Sequence, residues 1–470
     1  METPIARPAV PECSAETIIS VLTAQRDYFA TGATKSVDAR LQSLRRLAEA
    51  IKEHEPMILD ALHEDLRKPR VEGYLSEVHF VQDEIRYACR HLRLWARPRK
   101  GYAPLIMQPA KTRIHPVPFG VALIISPWNY PFQLLIGPLV AALAAGNTAV
   151  LKPSELAPAT SSVLVQMIRA TFAPELVAVV EGGVETTSAL LEQRWDYIFF
   201  TGGTEVGRII AQAAARHLTP VTLELGGKSP CIVDKEANID VAARRIAWGK
   251  YFNAGQTCVA PDYLLVDDTI APRLLHALRA TIHQFFGADP QQSPDYARII
   301  NHRHFQRLVS YLDNGTLFCG GEHRADERYV SPTILTDVLP ESRVMQEEIF
   351  GPILPVIPYK SLDEALDFIN SRPKPLALYC FTQNRSAQKY VLDHTLSGGT
   401  TINDVIVHIS TPGAPFGGVG ESGIGNYHGK YGFDTFSHHR TVVTKPTFFD
   451  PMFRYAPYLN RFALFKKLLG

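Results

Sequence analysis

Apolar residues recur at three- and four-residue spacing through the first hundred positions of the chain. Leu41, Leu44, Leu47 and Ile51 follow this spacing, which is typical of one face of an amphipathic helix. The segment from about Ile18 to Trp95 is also rich in helix-forming residues. The pattern therefore predicts successive amphipathic helices at the start of the chain.

From residue 121 onward, short runs rich in β-branched and aromatic residues alternate with helical stretches. This alternation favours a parallel sheet with helices on both faces. The apolar run from Phe132 to Ala145 is too short to cross a bilayer, so it predicts a buried helix. The predicted strands are Val121–Ile125, Thr148–Lys152, Val177–Val180, Tyr197–Phe200 and Val221–Leu223, followed in a second α/β region by Pro230–Val233, Leu264–Val266, Ile353–Ile357 and Ala377–Phe381.

Two segments bounded or broken by proline predict exposed strands rather than core. These are Arg97 to Pro118 and Ser437 to Lys445. We expect both to be ribbon-like and to pair across the subunits of an oligomer. The last stretch, Tyr458 to Gly470, mixes apolar and basic residues. It predicts a docked terminal helix, with weak contact to a membrane surface as the alternative.

Composition narrows the class of protein. A chain of 470 residues is long enough for two domains. Its 48 basic and 47 acidic residues are scattered, so we expect no nucleic-acid partner. The start of the chain lacks the basic and apolar blocks of a secretory signal, and the six cysteines form no CxxC pair. We therefore expect a cytoplasmic protein with free thiols and no transmembrane segment.

Two short glycine-containing strings carry the residues best suited to chemistry. Cys258 ends the string Asn-Ala-Gly-Gln-Thr-Cys, and Glu224 lies in Leu-Glu-Leu-Gly-Gly-Lys. A thiol can attack a carbonyl carbon to form an acyl-enzyme, and a carboxylate can activate the water that releases the acid. The two strings together predict covalent catalysis.

Further polar and glycine residues follow the predicted strands, where ligands of open α/β sheets bind, so we expect them to converge on one crevice. The loop from Gly202 to Gly207 could bind a pyrophosphate or be a plain helix start. Lys152 and Glu155 could hold a ribose or form an ordinary surface ion pair. Asn129 could donate to an oxyanion or only turn the chain between prolines. Glu348, without further context, is predicted to be a solvated charge.

Two other catalytic classes find no support in the residue spacing. The histidines show no HExxH or comparable ligand spacing, so we expect no metal site. No Gly-x-Ser-x-Gly nucleophile elbow occurs, which argues against a serine hydrolase.

Taken together, these strings resemble the aldehyde dehydrogenase superfamily from about residue 18 to 445. The strings at 217–224, 258–263, 374–379 and 427–430 resemble its class 3 branch, which includes the fatty and aromatic aldehyde dehydrogenases. The resemblance implies an α/β fold with a Rossmann-like cofactor domain, an α/β catalytic domain and a small β oligomerisation extension. The implied divisions are an NAD(P)-binding domain at 1–100 and 119–226, a catalytic domain at 227–420, oligomerisation strands at 101–118 and 437–446, and a C-terminal tail at 447–470.

The resemblance also implies roles for individual residues. Cys258 would be the nucleophile, Glu224 the general base and Asn129 the oxyanion donor. The residues implied in cofactor binding are Trp128, Lys152, Glu155, Thr201, Gly202, Gly203, Gly207, Glu348 and Phe350.

The implied reaction is the oxidation of medium- or long-chain aliphatic or aromatic aldehydes to acids through a thioester. NAD is the expected cofactor, with NADP as the alternative, and a homodimer is the expected assembly. Two other functions stay open: a CoA-acylating aldehyde dehydrogenase, which Glu224 disfavours because the water route needs a base, and a non-catalytic binding protein on the same fold.

Overall fold

The computed structural model describes residues 11–104, 107–458 and 462–469. The helices are α1 (Ala15–Ala30), α2 (Val37–Leu66), α3 (Arg70–Gly73), α4 (Phe80–Trp95), α5 (Gln133–Ala145), α6 (Pro158–Thr171), α7 (Val184–Leu191), α8 (Thr204–His217), α9 (Ile239–Tyr251), α10 (Ala271–Phe286), α11 (His302–Val309), α12 (Arg343–Gln346), α13 (Leu362–Asn370), α14 (Arg385–His394), α15 (Gly429–Thr435) and α16 (Phe462–Leu469). A π-helical turn covers Tyr74–His79, and 3-10 turns cover Phe252–Gly255, Val407–Ser410 and Met452–Arg454.

The strands of the described residues fall into four sheets. They are β1 (Arg99–Gly101), β2 (Lys111–Pro118), β3 (Val121–Ile125), β4 (Thr148–Lys152), β5 (Val177–Val179), β6 (Tyr197–Thr201), β7 (Val221–Glu224), β8 (Pro230–Val233), β9 (Tyr263–Asp267), β10 (Thr316–Cys319), β11 (His323–Arg324), β12 (Tyr329–Val330), β13 (Thr333–Thr336), β14 (Ile353–Tyr359), β15 (Ala377–Phe381), β16 (Gly399–Ile402), β17 (Gly423–Ile424) and β18 (Ser437–Thr444). Every strand predicted from the sequence forms, most of them within one or two residues of the predicted bounds. The α/β fold class is thereby confirmed.

The N-terminal helices form where the apolar spacing predicts them. Leu41, Leu44, Leu47 and Ile51 are all buried on one side of α2. That side contacts α4, α5 and α6, and α5 and α6 in turn pack against strands β3, β4 and β5, so α2 forms an outer layer over one face of the first sheet. Burial of the apolar stripe, more than intrinsic propensity, stabilises such a helix.

The first large sheet has the strand order β17-β7-β6-β3-β4-β5. Strands β3 to β7 are parallel, and only β17 is antiparallel. From β3 the chain proceeds outward through β4 and β5, then returns to the other side of β3 with β6 and β7. This reversal creates a crevice beyond the carboxyl ends of β3 and β6, where ligands of open parallel sheets bind.

The second large sheet has the order β10-β13-β14-β9-β8-β15-β16, parallel except for β10. One buried apolar cluster includes residues of both large sheets, such as Leu151 and Ile232, so the two halves share a core. Strand β17, which follows residue 420, joins the first sheet rather than the second. The division of the chain into domains stays a prediction.

The two exposed segments form one small sheet with the order β1-β2-β18. Strands β2 and β18 pair antiparallel within the same chain, from Lys111 opposite Thr444 to Pro118 opposite Ser437. The exposed strands form as predicted, and they pair with each other within one chain. Pairing of these segments across subunits stays a prediction.

The buried helix and the terminal helix both form. Every residue of α5 is buried, as predicted. Helix α16 forms at the end of the chain. Phe462 at its start is 80 % exposed, so this side chain does not pack against the rest of the protein. Residues 459–461 and 470 of the predicted terminal segment lie outside the described residues. In the part of the chain that the structure describes, no helix is both long and apolar enough to cross a membrane. Contact of the tail with a membrane surface and the cytoplasmic location stay predictions.

Candidate active site

Four of the predicted site residues lie along one edge of the first sheet. Lys152, Thr201 and Glu224 are the last residues of β4, β6 and β7, and Asn129 follows the end of β3. These four strands are neighbours in the order β7-β6-β3-β4. The structure therefore brings these four residues to the same edge of the sheet, and their role in one binding crevice stays a prediction.

Cys258 follows an unusual backbone turn between α9 and β9. Asn253, Ala254 and Gly255 have φ values of 52°, 51° and 74°, all in the left-handed region. A Cβ on Gly255 would lie 2.3 Å from the carbonyl oxygen of Gly351, so glycine is required there. Left-handed backbone is disfavoured for residues with a Cβ, and such strain persists only where surrounding contacts hold it.

The side chain of Gln256 supplies part of that support. It is fully buried, and its Nε2 donates to the carbonyls of Asn253 at 3.1 Å and Arg298 at 2.9 Å. Its Oε1 accepts from the backbone N–H of Ile300 at 3.0 Å. These three hydrogen bonds fix the loop that ends in Cys258. The glutamine of the Gly-Gln-Thr-Cys string thus has a structural role that the sequence alone did not identify.

Asn129 is buried beside the same loop. Its Nδ2 donates to the backbone carbonyl of Gln256 at 3.0 Å. Its own backbone carbonyl accepts from Asn253 Nδ2 at 3.0 Å and from Lys68 Nζ at 2.9 Å. A side-chain amide carries two N–H donors, so this contact orients the group and leaves one donor for a ligand.

Burial raises the pKa of both the candidate nucleophile and the candidate base. Burial raises the pKa of the Cys258 thiol to about 12, with further increases from the charges of Glu348 and Glu224. Burial also raises the pKa of Glu224 well above its usual value. Neither carboxylate oxygen of Glu224 has a hydrogen-bond partner among the described residues. An unpaired buried carboxyl group of this kind is typical of functional sites.

The glycine loop begins helix α8, as predicted. Gly203 is the N-cap residue, and a Cβ there would meet no atom within 4 Å. At Gly202 a Cβ would lie 2.4 Å from Phe200, and at Gly207 it would lie 2.6 Å from Leu225. Gly202 and Gly207 therefore permit close packing within the protein, whereas Gly203 leaves the helix start open to a ligand.

Lys152 and Glu155 form an ion pair with a Nζ to Oε2 distance of 2.9 Å at the end of β4. Lys152 is only 3 % exposed and Glu155 is 35 % exposed, so this is not an ordinary surface pair. The hydroxyl of Thr201 is also buried and finds no partner within the described chain. Polar groups capable of holding a sugar and a phosphate therefore lie on both sides of β3.

The remaining predicted residues come from the second half of the chain and from the β3–α5 loop. The rings of Trp128 and Phe350 meet edge to face at 5.3 Å. Glu348 is half-buried and lines a cavity of about 520 Å³ together with Gly226, so the prediction of a solvated charge is wrong. A Cβ on Gly226 would lie 2.0 Å from Glu348 Oε2, so this glycine lets the carboxylate approach. Burial raises the pKa of Glu348 to about 8.

Three charged residues near the site were not found from the sequence. Lys68, Glu72 and Glu77 contact the backbone of the two loops that carry Asn129 and Cys258. They lie in a helical region with many exposed charges, and no local pattern distinguishes them. Only their burial or their partners in the folded chain could have identified them.

The chain belongs to the aldehyde dehydrogenase family, whose sequence pattern matches residues 3–442. It is 48 % identical over 420 residues to aldehyde dehydrogenase family 3 member A2 of Macaca fascicularis, covering 89 % of this chain and 87 % of the relative. It is 49 % identical over 428 residues to the dimeric NADP-preferring aldehyde dehydrogenase of Mus musculus, covering 91 % and 94 %. The resemblance to the class 3 branch is thereby confirmed, and the protein is an oxidoreductase that acts on aldehydes.

A solved structure supports the same conclusion for the fold. The substrate-bound state of Staphylococcus aureus AldH superimposes with a TM-score of 0.94 at 46 % sequence identity. The match covers 96 % of this chain and 99 % of that protein. The two-sheet architecture described above is therefore that of the family.

Proposed function

We propose that this enzyme oxidises aldehydes to carboxylic acids through a thioester on Cys258, with NAD or NADP as the oxidant. One observation carries the proposal: the amide of Asn129 is hydrogen-bonded to the backbone of the loop that ends in Cys258. The carboxyl group of Glu224, whose two oxygens have no partner among the described residues, supports the role of base. In the proposal, Cys258, Asn129 and Glu224 are the nucleophile, the oxyanion donor and the base.

In the first step, the Cys258 thiol gives its proton to solvent, and the thiolate Sγ attacks the carbonyl carbon of the aldehyde, so that the carbonyl oxygen becomes negative. The free N–H of the Asn129 amide and the backbone N–H of Cys258 donate to the oxygen that becomes negative. Removing one such donor costs other enzymes about 3 kcal/mol of transition-state stabilisation. Because the amide is already oriented by the carbonyl of Gln256, little reorganisation is needed during the reaction.

The residues around the crevice fit a dinucleotide. The open helix start at Gly203 suits a pyrophosphate, and the Lys152–Glu155 pair and the unpartnered Thr201 hydroxyl suit ribose hydroxyl groups. Glu348 would hold the second ribose. When bound, the oxidised nicotinamide accepts the hydride, and its positive charge favours the Cys258 thiolate. The carboxylate of Glu155 disfavours a 2′-phosphate, which supports NAD as the preferred cofactor with NADP accepted.

In the last step, Glu224 takes a proton from a water molecule that attacks the thioester. The acid leaves and the Cys258 thiolate is regenerated. Both oxygens of Glu224 are free of protein partners in the described chain, so either one can accept the proton. This base favours hydrolysis over transfer of the acyl group to CoA.

The substrate class that we propose is medium- or long-chain aliphatic or aromatic aldehydes. The support is the similarity to family 3 member A2 and to the other class 3 relative over most of the chain. A CoA-acylating reaction would make turnover depend on added CoA. A non-catalytic protein would reduce no cofactor with any aldehyde.

The test is the absorbance of reduced nicotinamide in mixtures of the protein, NAD or NADP, and a panel of aliphatic and aromatic aldehydes. We expect reduction without CoA, and we expect it to disappear in the Cys258→Ser variant because the hydroxyl is a weaker nucleophile and a poorer leaving group. Cys319→Ser, at a half-buried thiol away from the crevice, is the matched control and should keep wild-type turnover. Turnover retained by Cys258→Ser would overturn the assignment of the nucleophile.

We also propose that the enzyme is a homodimer. One relative is named as dimeric, and the terminal strands β18 of the small sheet and β16 of the second large sheet each pair with a single strand among the described residues. A free strand edge presents unpaired backbone donors and acceptors that can pair with another chain.

A further inference from the structure

Lys68 and Glu77 form an ion pair that is completely buried. Both side chains are 0 % exposed, and Lys68 Nζ contacts Glu77 Oε1. The ammonium group also lies 4.2 Å from the centre of the Tyr130 ring. Removing two charges from water is costly, so a buried pair is retained only where further hydrogen bonds satisfy it.

Those further hydrogen bonds go to the loop that carries Asn129. Lys68 Nζ donates to the backbone carbonyl of Asn129 at 2.9 Å. Glu77 Oε2 accepts from the backbone N–H groups of Phe132 at 2.9 Å and Gln133 at 3.2 Å, at the start of α5. A carboxylate at a helix N-terminus is favoured by the free N–H groups and the dipole. The pair therefore holds both ends of the segment from Asn129 to Gln133.

Glu72, five residues before Glu77, holds the loop that carries Cys258. Its Oε2 accepts from the backbone N–H of Asn253 at 3.0 Å. Asn253 is the first of the three left-handed residues that precede Cys258. Because this backbone is strained for residues with a Cβ, an external hydrogen bond at its first residue helps to keep it.

The side chain of Asn253 joins the two loops. Its Nδ2 donates to the backbone carbonyl of Asn129 at 3.0 Å and to that of Gln256 at 3.2 Å. The hydroxyls of Tyr130 and Thr257 lie 2.6 Å apart and form a second link. Movement of either loop would therefore break hydrogen bonds on both.

We propose that Lys68, Glu72 and Glu77, which we call the clamp, position the oxyanion donor Asn129 relative to the nucleophile Cys258. The clamp acts through the backbone carbonyl of Asn129 and the backbone N–H of Asn253, so its members are positioning residues rather than catalytic residues. This inference rests on the proposed roles of Cys258 and Asn129.

A clamp of this kind acts on the rate of the chemical step. In the proposed reaction, Cys258 Sγ attacks the carbon of the aldehyde carbonyl, and the Asn129 amide donates a hydrogen bond to the oxygen of the same carbonyl. A misplacement of about 1 Å in such an arrangement can cost about 100-fold in rate. Because the clamp touches neither substrate nor cofactor, its loss should lower kcat and leave KM nearly unchanged.

The experiment compares Glu72→Met with Glu72→Gln. Methionine is of similar length but cannot accept from the Asn253 N–H, whereas the glutamine carbonyl can. We expect Glu72→Met to lower kcat about 10-fold, with KM for aldehyde and for cofactor changed less than about 2-fold. Glu72→Gln should restore kcat to within about 3-fold of the wild type, because the acceptor is what matters.

The matched control is Glu53→Met, at an exposed position of α2. The melting temperatures of all variants show whether a loss of activity comes from loss of the fold or from loss of positioning. If Glu72→Met does not fold, Glu72→Ser replaces it, because the serine side chain is too short to reach the Asn253 N–H. A kcat of Glu72→Met or Glu72→Ser equal to that of Glu53→Met would overturn the inference. Equal losses in Glu72→Met and Glu72→Gln would also overturn it.

Cys258→Ser, assayed alongside, separates the two proposals. If it is inactive while Glu72→Met is fully active, the clamp alone is refuted. If Cys258→Ser still turns over, the proposed function itself fails, whatever the clamp variants do.

Discussion

The glutamates around the crevice are chemically identical, yet the groups around each one give it a different role. Glu77 is paired with Lys68 and caps α5, so it is held in one position. Glu72 accepts one backbone N–H, from Asn253. Glu224 is buried without a partner in the described chain, and burial raises its pKa well above the usual value. A carboxyl group that no protein donor stabilises is the one free to exchange a proton with water.

This reasoning predicts a specific kinetic defect for Glu224→Gln. The amide has nearly the same shape but cannot take a proton from water. Steady-state turnover should fall about 100-fold or more, the usual contribution of a general base. Thioester formation does not need this base, so stopped-flow absorbance should still show a burst of reduced cofactor close to one equivalent per site.

The pH dependence of thioester hydrolysis provides a second test of Glu224 as the base. Because burial raises the pKa of Glu224, the wild-type carboxyl group is protonated at low pH and hydrolysis of the thioester should become faster as the pH rises. The glutamine variant has no such group and should lose this rise. Glu192→Gln, at an exposed position, should behave as the wild type. Absence of the burst, or unchanged turnover, would remove Glu224 from the role of base.

At the scale of secondary-structure elements, the site depends on where strands end and helices begin. The carboxyl ends of β3, β4, β6 and β7 lie side by side, and α8 begins beside them. Gly202 and Gly203 lie in the β6–α8 loop and Gly207 lies in the first turn of α8, and the three have different reasons to be glycine. Gly202 and Gly207 avoid clashes with Phe200 and Leu225, whereas no protein atom lies near the missing Cβ of Gly203.

Alanine substitutions should therefore separate packing from ligand contact. Gly207→Ala should lower the melting temperature, because the new Cβ would lie 2.6 Å from the buried Leu225 side chain, and either that side chain or α8 would have to shift. Gly203→Ala should leave the melting temperature unchanged but raise the KM for the cofactor several-fold, since a Cβ would occupy the open helix start. Thermal unfolding and cofactor titration of the two variants check this prediction. An unchanged cofactor KM in Gly203→Ala would exclude close approach of the cofactor at that residue.

At the scale of the whole molecule, the small sheet β1-β2-β18 lies at the surface of the fold. Its strands are exposed or half-buried along nearly all their length. Strand β18 uses one edge to pair with β2, and its other edge pairs with no strand within the described chain. Proteins normally protect an exposed strand edge of this length, and pairing with a partner chain is one way to cover it.

We expect light scattering to give twice the chain mass of 52.2 kDa. Val443→Asp, on β18 where the side chain is 43 % exposed, should weaken the dimer because a buried carboxylate at an interface is costly. Val184→Asp, at an exposed position of α7 in the first sheet region, should leave the mass unchanged. A monomeric mass for the wild type would refute the homodimer.

The order of elements and the reactive residues could be predicted from the sequence alone. Continuous apolar runs such as Val121–Ile125 and Ala377–Phe381 correspond to fully buried strands, because a strand covered on both faces needs apolar residues throughout. Cys258 and Glu224 could be singled out because their strings are rich in glycine and specific to one family. The candidate residues of the crevice followed from their positions at strand ends.

The contacts that orient those residues were decided only by the tertiary structure. The pairing of β2 with β18 joins segments about three hundred residues apart, and no local pattern specifies which edge a strand will meet. Lys68, Glu72 and Glu77 have the same local sequence character as exposed charges, and only the fold buries them against the loops of Asn129 and Cys258. The sequence determined which chemical groups and which secondary structures are present, because these depend on near neighbours. Burial, pKa and the partners of each charge depend on residues distant in the chain, so the folded molecule alone decided them.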